Sequence, residues 1–294
     1  MTTKVIRSVY PVTANAEEGQ LQQALRGGAP NSVDPKRGLF GPGSMFWEVN
    51  RHTLVSFLSA VQSLQMQLCH PGLASTVYEY SKTMADPCRR AQATYNYLLS
   101  DKARSALSSQ GQIQALLWAQ ISAIYCKVKL YQQLIKPLSE REKDEFCQES
   151  IVHGEQGGLS QQLLPRSWQE VEDYVDTMSV SNSLVKSEEG LQVRMFLEKT
   201  LPLPVRGSLW NFICAPLPER MQALLDQPMA TPRNLGRARK VARRLKWLNR
   251  LLPDKLANVP AYQQTLQRDA IKLQPHWLTS RMNRLFIGGN VLPN

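Results

Sequence analysis

His70, Arg90 and Thr94 are the residues of this chain whose types and spacing could act on a substrate. All three fall in the stretch Leu64–Leu99, LQMQLCHPGLASTVYEYSKTMADPCRRAQATYNYLL. His70 stands directly before Pro71-Gly72, while Arg90 and Thr94 are spaced i, i+4 and share one face of a helix. An imidazole there can move a proton, or it can cap the helix start or hydrogen-bond within a core. A guanidinium can orient an anionic group, or it can pair structurally with Asp86 or Glu79. Tyr78, Tyr80, Tyr95 and Tyr97 are either pocket-lining or core aromatics.

Two helix starts must bring these groups together. Proline disfavours helix in the residue before it yet suits a first helical turn, so Pro71 and Pro87 each end one helix and open another. Asp86 reads as the N-cap of the second, and the arrangement predicts one neighbourhood for His70, Tyr78, Ser81, Arg90 and Thr94. Upstream, residues 1–43 are rich in Gly, Pro and Asn and read as an extended arm. From Met45 an apolar stripe, Phe46, Val49, Leu54, Leu58, Val61, Leu64 and Leu68, predicts a first core helix carrying His52. Downstream, Ile113, Leu117, Ile121, Ile124, Val128, Tyr131 and Ile135 predict a long central helix that Pro137 stops. Ser139 with Glu142, and Ser167 with Glu170, form S-x-x-E capping boxes. His153, in IVHGEQGG, reads as an exposed loop residue. Five prolines between 202 and 228 predict short helices broken by turns. No alternating strand pattern and no internal repeat occurs. The fold class is all-α, a single globular multi-helix domain over 44–270 between the arm and a C-terminal tail, 271–294.

The run HPGLASTVYEYS…DPCRRAQAT resembles the core signature of the MpaB/rubber-oxygenase family, which includes the latex-clearing proteins. GLFGPGSMFWEVN, WAQISAIYCKVKLYQQLIKPLSEREKDEFCQES and LLPRSWQEVEDYVDTM continue the resemblance, which spans roughly residues 38–270. It implies a helical oxygenase holding haem b through a histidine and acting on a hydrophobic, isoprenoid- or polyketide-like molecule. Arg90 and Thr94 match the family's Arg/Thr pair. Ala93 stands where latex-clearing proteins have a lysine. The family's axial histidine belongs between the threonine helix and the tryptophan helix, and here that connection, SDKARSALSSQGQ, contains none. The four histidines are His52, His70, His153 and His276. A haem would therefore need Cys126, Tyr125 or a displaced histidine. The alternative is a haem-free relative, a cofactor-independent cyclase or isomerase in a biosynthetic pathway, working through His70, Arg90 and Thr94.

Composition narrows the remaining classes. Hydrophobic content of 43% and charged content of 20% over 294 residues support a large core. No apolar run approaches the roughly 20 residues that span a bilayer, and the N-terminus lacks an apolar h-region, so a cytoplasmic protein is expected. The five cysteines, at 69, 88, 126, 147 and 214, are scattered without a CxxC pair and read as free thiols. No metal-ligand spacing, G-x-S-x-G, HExxH, P-loop or dinucleotide fingerprint is present. Much of the net charge of +11 lies in PRNLGRARKVARRLKWLNR, which has no acidic residue and carries its apolar positions at helical spacing. Such a helix can bind nucleic acid or an anionic membrane, or simply face water. No nucleic-acid-binding motif accompanies it, so nucleic acid is not an expected partner.

Overall fold

The computed structural model describes residues 43–82, 110–156, 159–201, 205–227, 231–259 and 262. Its helices are α1 (Met45–Asn50), α2 (Thr53–Gln67), α3 (Pro71–Lys82), α4 (Gln110–Leu134), α5 (Glu140–Gln156), α6 (Trp168–Val180), α7 (Glu188–Thr200), α8 (Arg206–Cys214), α9 (Glu219–Leu224), α10 (Pro232–Leu251) and α11 (Asp254–Ala257). Among the described residues there is no strand, only an isolated antiparallel bridge between His52 and Asn258. The all-α expectation holds.

The pair α2 and α4 forms the spine. Trp118, fully buried, donates its indole N–H to Met66 O at 3.1 Å. Gln67 on α2 reaches Ala119 O at 3.2 Å and Ser122 Oγ at 3.1 Å on α4. The apolar spacing read from Ile113 onward does place Leu117, Ile121, Ile124, Val128 and Tyr131 in the core. Around this spine α1 packs on α5 through the stacked rings of Phe46 and Phe146, with Glu149 accepting from the Phe46 N–H. α6 packs on α4 through Tyr125 and Trp168, whose rings lie 5.8 Å apart at 10°. α8 lies between α2 and α10.

Local sequence explains most boundaries. Ser139 and Glu142 form the reciprocal box, with Ser139 N donating to Glu142 at 2.8 Å and Glu142 N to Ser139 Oγ at 3.3 Å. At α6 Ser167 caps Glu170 N, but the Glu170 carboxylate accepts from Arg166 N instead of Ser167 N. Thr231 caps α10 just before Pro232. The first core helix is not continuous as its apolar stripe suggests. It breaks at Arg51–His52, where Arg51 O accepts from the distant Val259 N at 2.6 Å and Asn50 O from Ser56 Oγ at 2.7 Å. His153 is likewise inside α5 and not in a loop. The arm 1–42, the segment 83–109 and most of the chain beyond 259 lie outside the described residues, so the expected Asp86-Pro87 helix start does too.

α7 packs along α3 and meets the C-terminal end of α2 at a backbone contact that requires glycine. A Cβ at Gly190 would sit 2.7 Å from Leu68 O, a backbone atom that cannot swing away. Gly190→Ala is therefore expected to destabilise the fold by about 1–3 kcal/mol, read as a lower urea midpoint. An unchanged midpoint would contradict this docking geometry.

Candidate functional site

His70 occupies the turn between α2 and α3, where its carbonyl accepts from Ala74 N at 2.9 Å and starts the new helix as the His-Pro pair predicts. The next link fixes the turn in place: Cys69 O accepts from Val185 N at 2.8 Å, tying it to the segment before α7. Its imidazole is buried, 8% exposed, and Nδ1 has no hydrogen-bond partner. Burial holds its pKa below the ordinary histidine value, so the ring is neutral near pH 7. The nearest heavy atoms to a Cβ built on Gly72 are His70 Cε1 and Nδ1, at 3.4 and 3.5 Å, so the turn folds the ring over the first residues of α3. Tyr78 on α3 is half-buried against the core. Arg90 and Thr94 lie outside the described residues, as do Asp86, Ala93, Tyr95, Tyr97, Cys88 and His276; Tyr80, Ser81 and His153 are described in backbone only. Of the predicted neighbourhood, His70 and Tyr78 are the members whose side chains are described.

A second imidazole with an unpartnered nitrogen stands at the α1–α2 break. His52 is 9% exposed, its ring 5.7 Å from that of Tyr131, and Nε2 has no partner. Glu48 beside it accepts from Tyr131 OH at 2.6 Å and pairs with Arg51 at 3.0 Å and Lys136 at 3.4 Å. Burial, then the Arg51 cation, lowers the His52 pKa to about 4, against an opposing pull from Glu48. Folding therefore depends on a neutral His52. Its contribution is full above the unfolded value near 6.5 and is lost as pH falls from there through about 4. Replacing His52 with Phe is expected to flatten the fall in melting temperature across that window. An identical pH profile for the two proteins would contradict the assignment.

The donors that a haem could use differ sharply in fitness. Cys126 is fully buried with its Sγ 3.3 Å from Met66 Sδ, and burial raises its pKa well above the ordinary thiol value. It is a packed thiol, not a thiolate ligand. Tyr125 is committed to the Trp168 stack, with Lys129 over its ring, and burial pushes its phenol up to about 12. His70 has the chemistry that suits iron better, a neutral imidazole whose Nδ1 has no hydrogen-bond partner, with that nitrogen buried 3.5 Å from the Cβ position of Gly72. His52 shares that property but faces Arg51 and Lys136. Among the described residues no group of three or more His, Cys, Asp or Glu could hold a bare metal ion. The four described cysteines are free and buried.

One titratable group escapes a sequence reading. Lys127 is half-buried on α4, meets no carboxylate among the described residues, and burial lowers its ammonium to about 8. Its only sequence signal is a lysine three residues after Ile124 and four before Tyr131, both on the apolar stripe.

The architecture defines an all-α domain built on a buried helix pair, with a histidine turn at one end. Residues 112–248 match the family described as ER-bound oxygenase mpaB/B'/Rubber oxygenase, catalytic domain, and the match supports the chain's membership of that family. It begins just inside α4 and ends within α10, taking in the spine helix and everything packed against it from α5 to α9. No curated protein and no solved structure matches the chain. No helix among the described residues is long and apolar enough to cross a membrane.

Proposed function

We propose that this protein is an oxygenase-like enzyme acting on a hydrophobic small molecule of isoprenoid or polyketide type. The observation that carries the reading is the match of 112–248 to an oxygenase catalytic domain. The group implied by the family is haem b, and His70 is the described residue whose free, neutral Nδ1 suits it. When bound, haem supplies the oxygen chemistry. The chain's own part is different. The α2–α3 turn, held by the Cys69–Val185 hydrogen bond, fixes the imidazole. Arg90 orients an anionic group, a haem propionate or a charged end of the substrate, and Thr94 offers a hydroxyl on the same face.

The second reading is a cofactor-independent cyclase or isomerase. It is favoured by the absence of histidine from SDKARSALSSQGQ, residues 100–112, where the resemblance puts the axial ligand. In that case neutral His70 acts as the proton acceptor, with Arg90 and Thr94 positioning the substrate.

Labelled dioxygen separates the two. With a polyisoprenoid probe such as squalene, or a polyketide-type counterpart, the oxygenase reading predicts heavy oxygen in carbonyl products and no turnover without air. Anaerobic conversion to an isomer of the substrate would overturn it and establish the second reading.

A further inference from the structure

We infer that the exposed face of α10 docks the protein on an anionic lipid surface. The helix carries eight lysines and arginines between residues 233 and 250 and no acid. None of these cations forms an ion pair among the described residues. Leu235, Ala238, Val241, Ala242 and Leu245 fall on the side that packs inward, with Ala238 buried and Val241, Ala242 and Leu245 against the core. The outward line runs Arg233, Arg237, Lys240, Arg244, Trp247, Leu251, at steps of three and four, so one straight stripe passes from cationic to apolar along its length.

The apolar end is what selects the partner. Trp247 is 65% exposed, Leu251 58% and Leu248 42%, three large hydrophobic side chains within two turns. Lys240, Arg243, Arg244 and Trp247 line an open cleft of about 480 Å³ where the cationic and apolar parts of the stripe meet. Gly236, on the same side, has open space where a Cβ would stand. A nucleic-acid duplex would engage the cations but give no return for the exposed Leu248 and Leu251. A bilayer interface satisfies both, with lipid phosphates and carboxylates on the arginines and lysines and the acyl boundary under Trp247 and Leu251. The helix lies on such a surface and does not span it, because its other side belongs to the protein core. This inference is independent of the reaction catalysed.

Vesicle co-sedimentation of the full chain tests it. Binding is expected to vesicles of phosphatidylcholine with about 30 mol% phosphatidylserine, to be absent with phosphatidylcholine alone, and to weaken from about 0.1 M to 0.5 M salt. The double variant Lys240→Glu/Arg244→Glu should bind at least about 30-fold more weakly, since each cation near an anionic leaflet strengthens binding roughly five-fold. Trp247→Ser/Leu251→Ser, which touches no buried residue, should weaken binding without changing its salt dependence, with far-ultraviolet circular dichroism confirming both folds. Failure of the wild type to bind these vesicles would overturn the inference, as would wild-type-like binding by both folded variants. Preferential binding to a duplex DNA probe in the same buffer would overturn it in favour of nucleic acid.

Discussion

Changing His70 to alanine is expected to lower kcat by at least about 100-fold while leaving the helical fold in place. The two effects separate because of how the ring is held. Its Nδ1 forms no hydrogen bond, so removing the side chain strands no donor or acceptor through that atom. The hydrogen bonds that define the turn, Ala74 N to His70 O and Val185 N to Cys69 O, are made by backbone and survive the change. A merely structural histidine would show the reverse, a lower melting temperature with kcat intact. The pH profile carries the same signature. Burial depresses the His70 pKa, so the neutral ring is retained below the ordinary histidine range, and activity should fall only at pH values under it. An acid limb at or above the ordinary value would contradict a neutral His70 at the site.

Trp118→Ala should be the most damaging single change to stability, costing about 3–5 kcal/mol. The side chain is wholly buried on α4, its ring 6.3 Å from that of Tyr174 and its N–H on Met66 O. Deleting it opens a cavity between α2, α4 and α6 that neighbouring rings cannot collapse to fill. Trp118→Phe keeps most of the volume and loses the N–H. Met66 O still accepts from Cys69 N at 3.2 Å, so this variant should cost no more than about 1.5 kcal/mol. Urea denaturation orders the two. Equal midpoints would show that volume at this site does not hold the spine together.

These contrasts show which parts of the molecule local sequence controls. The central helix was legible because its apolar positions repeat at helical spacing and Pro137 ends it. The Ser139–Glu142 box was legible because both partners lie within one turn. The break at Arg51–His52 was not, since the residues that compete for its backbone, Asn258 and Val259, are some two hundred positions away. Buried glutamines are a similar case. Gln227 donates to Gln65 at 2.9 Å and accepts from Trp210 at 2.8 Å, while Gln62 donates to Ile213 O at 3.0 Å. By residue type they belong on the surface, and only long-range carbonyl and indole partners justify their burial. At the site, His70 and its turn were legible from the His-Pro-Gly pattern. The depressed Lys127 was not, because a single lysine among the apolar positions of α4 does not reveal how far it is desolvated.

The most direct test of the account is an absorption spectrum with iron analysis on wild-type protein and His70→Ala, both produced with haem precursor supplied. The account predicts a Soret band and about one iron per chain in the wild type, both lost in the variant while its circular dichroism stays helical. A folded, colourless and iron-free wild type would contradict the haem oxygenase assignment. A variant that keeps the full band would contradict His70 as its ligand.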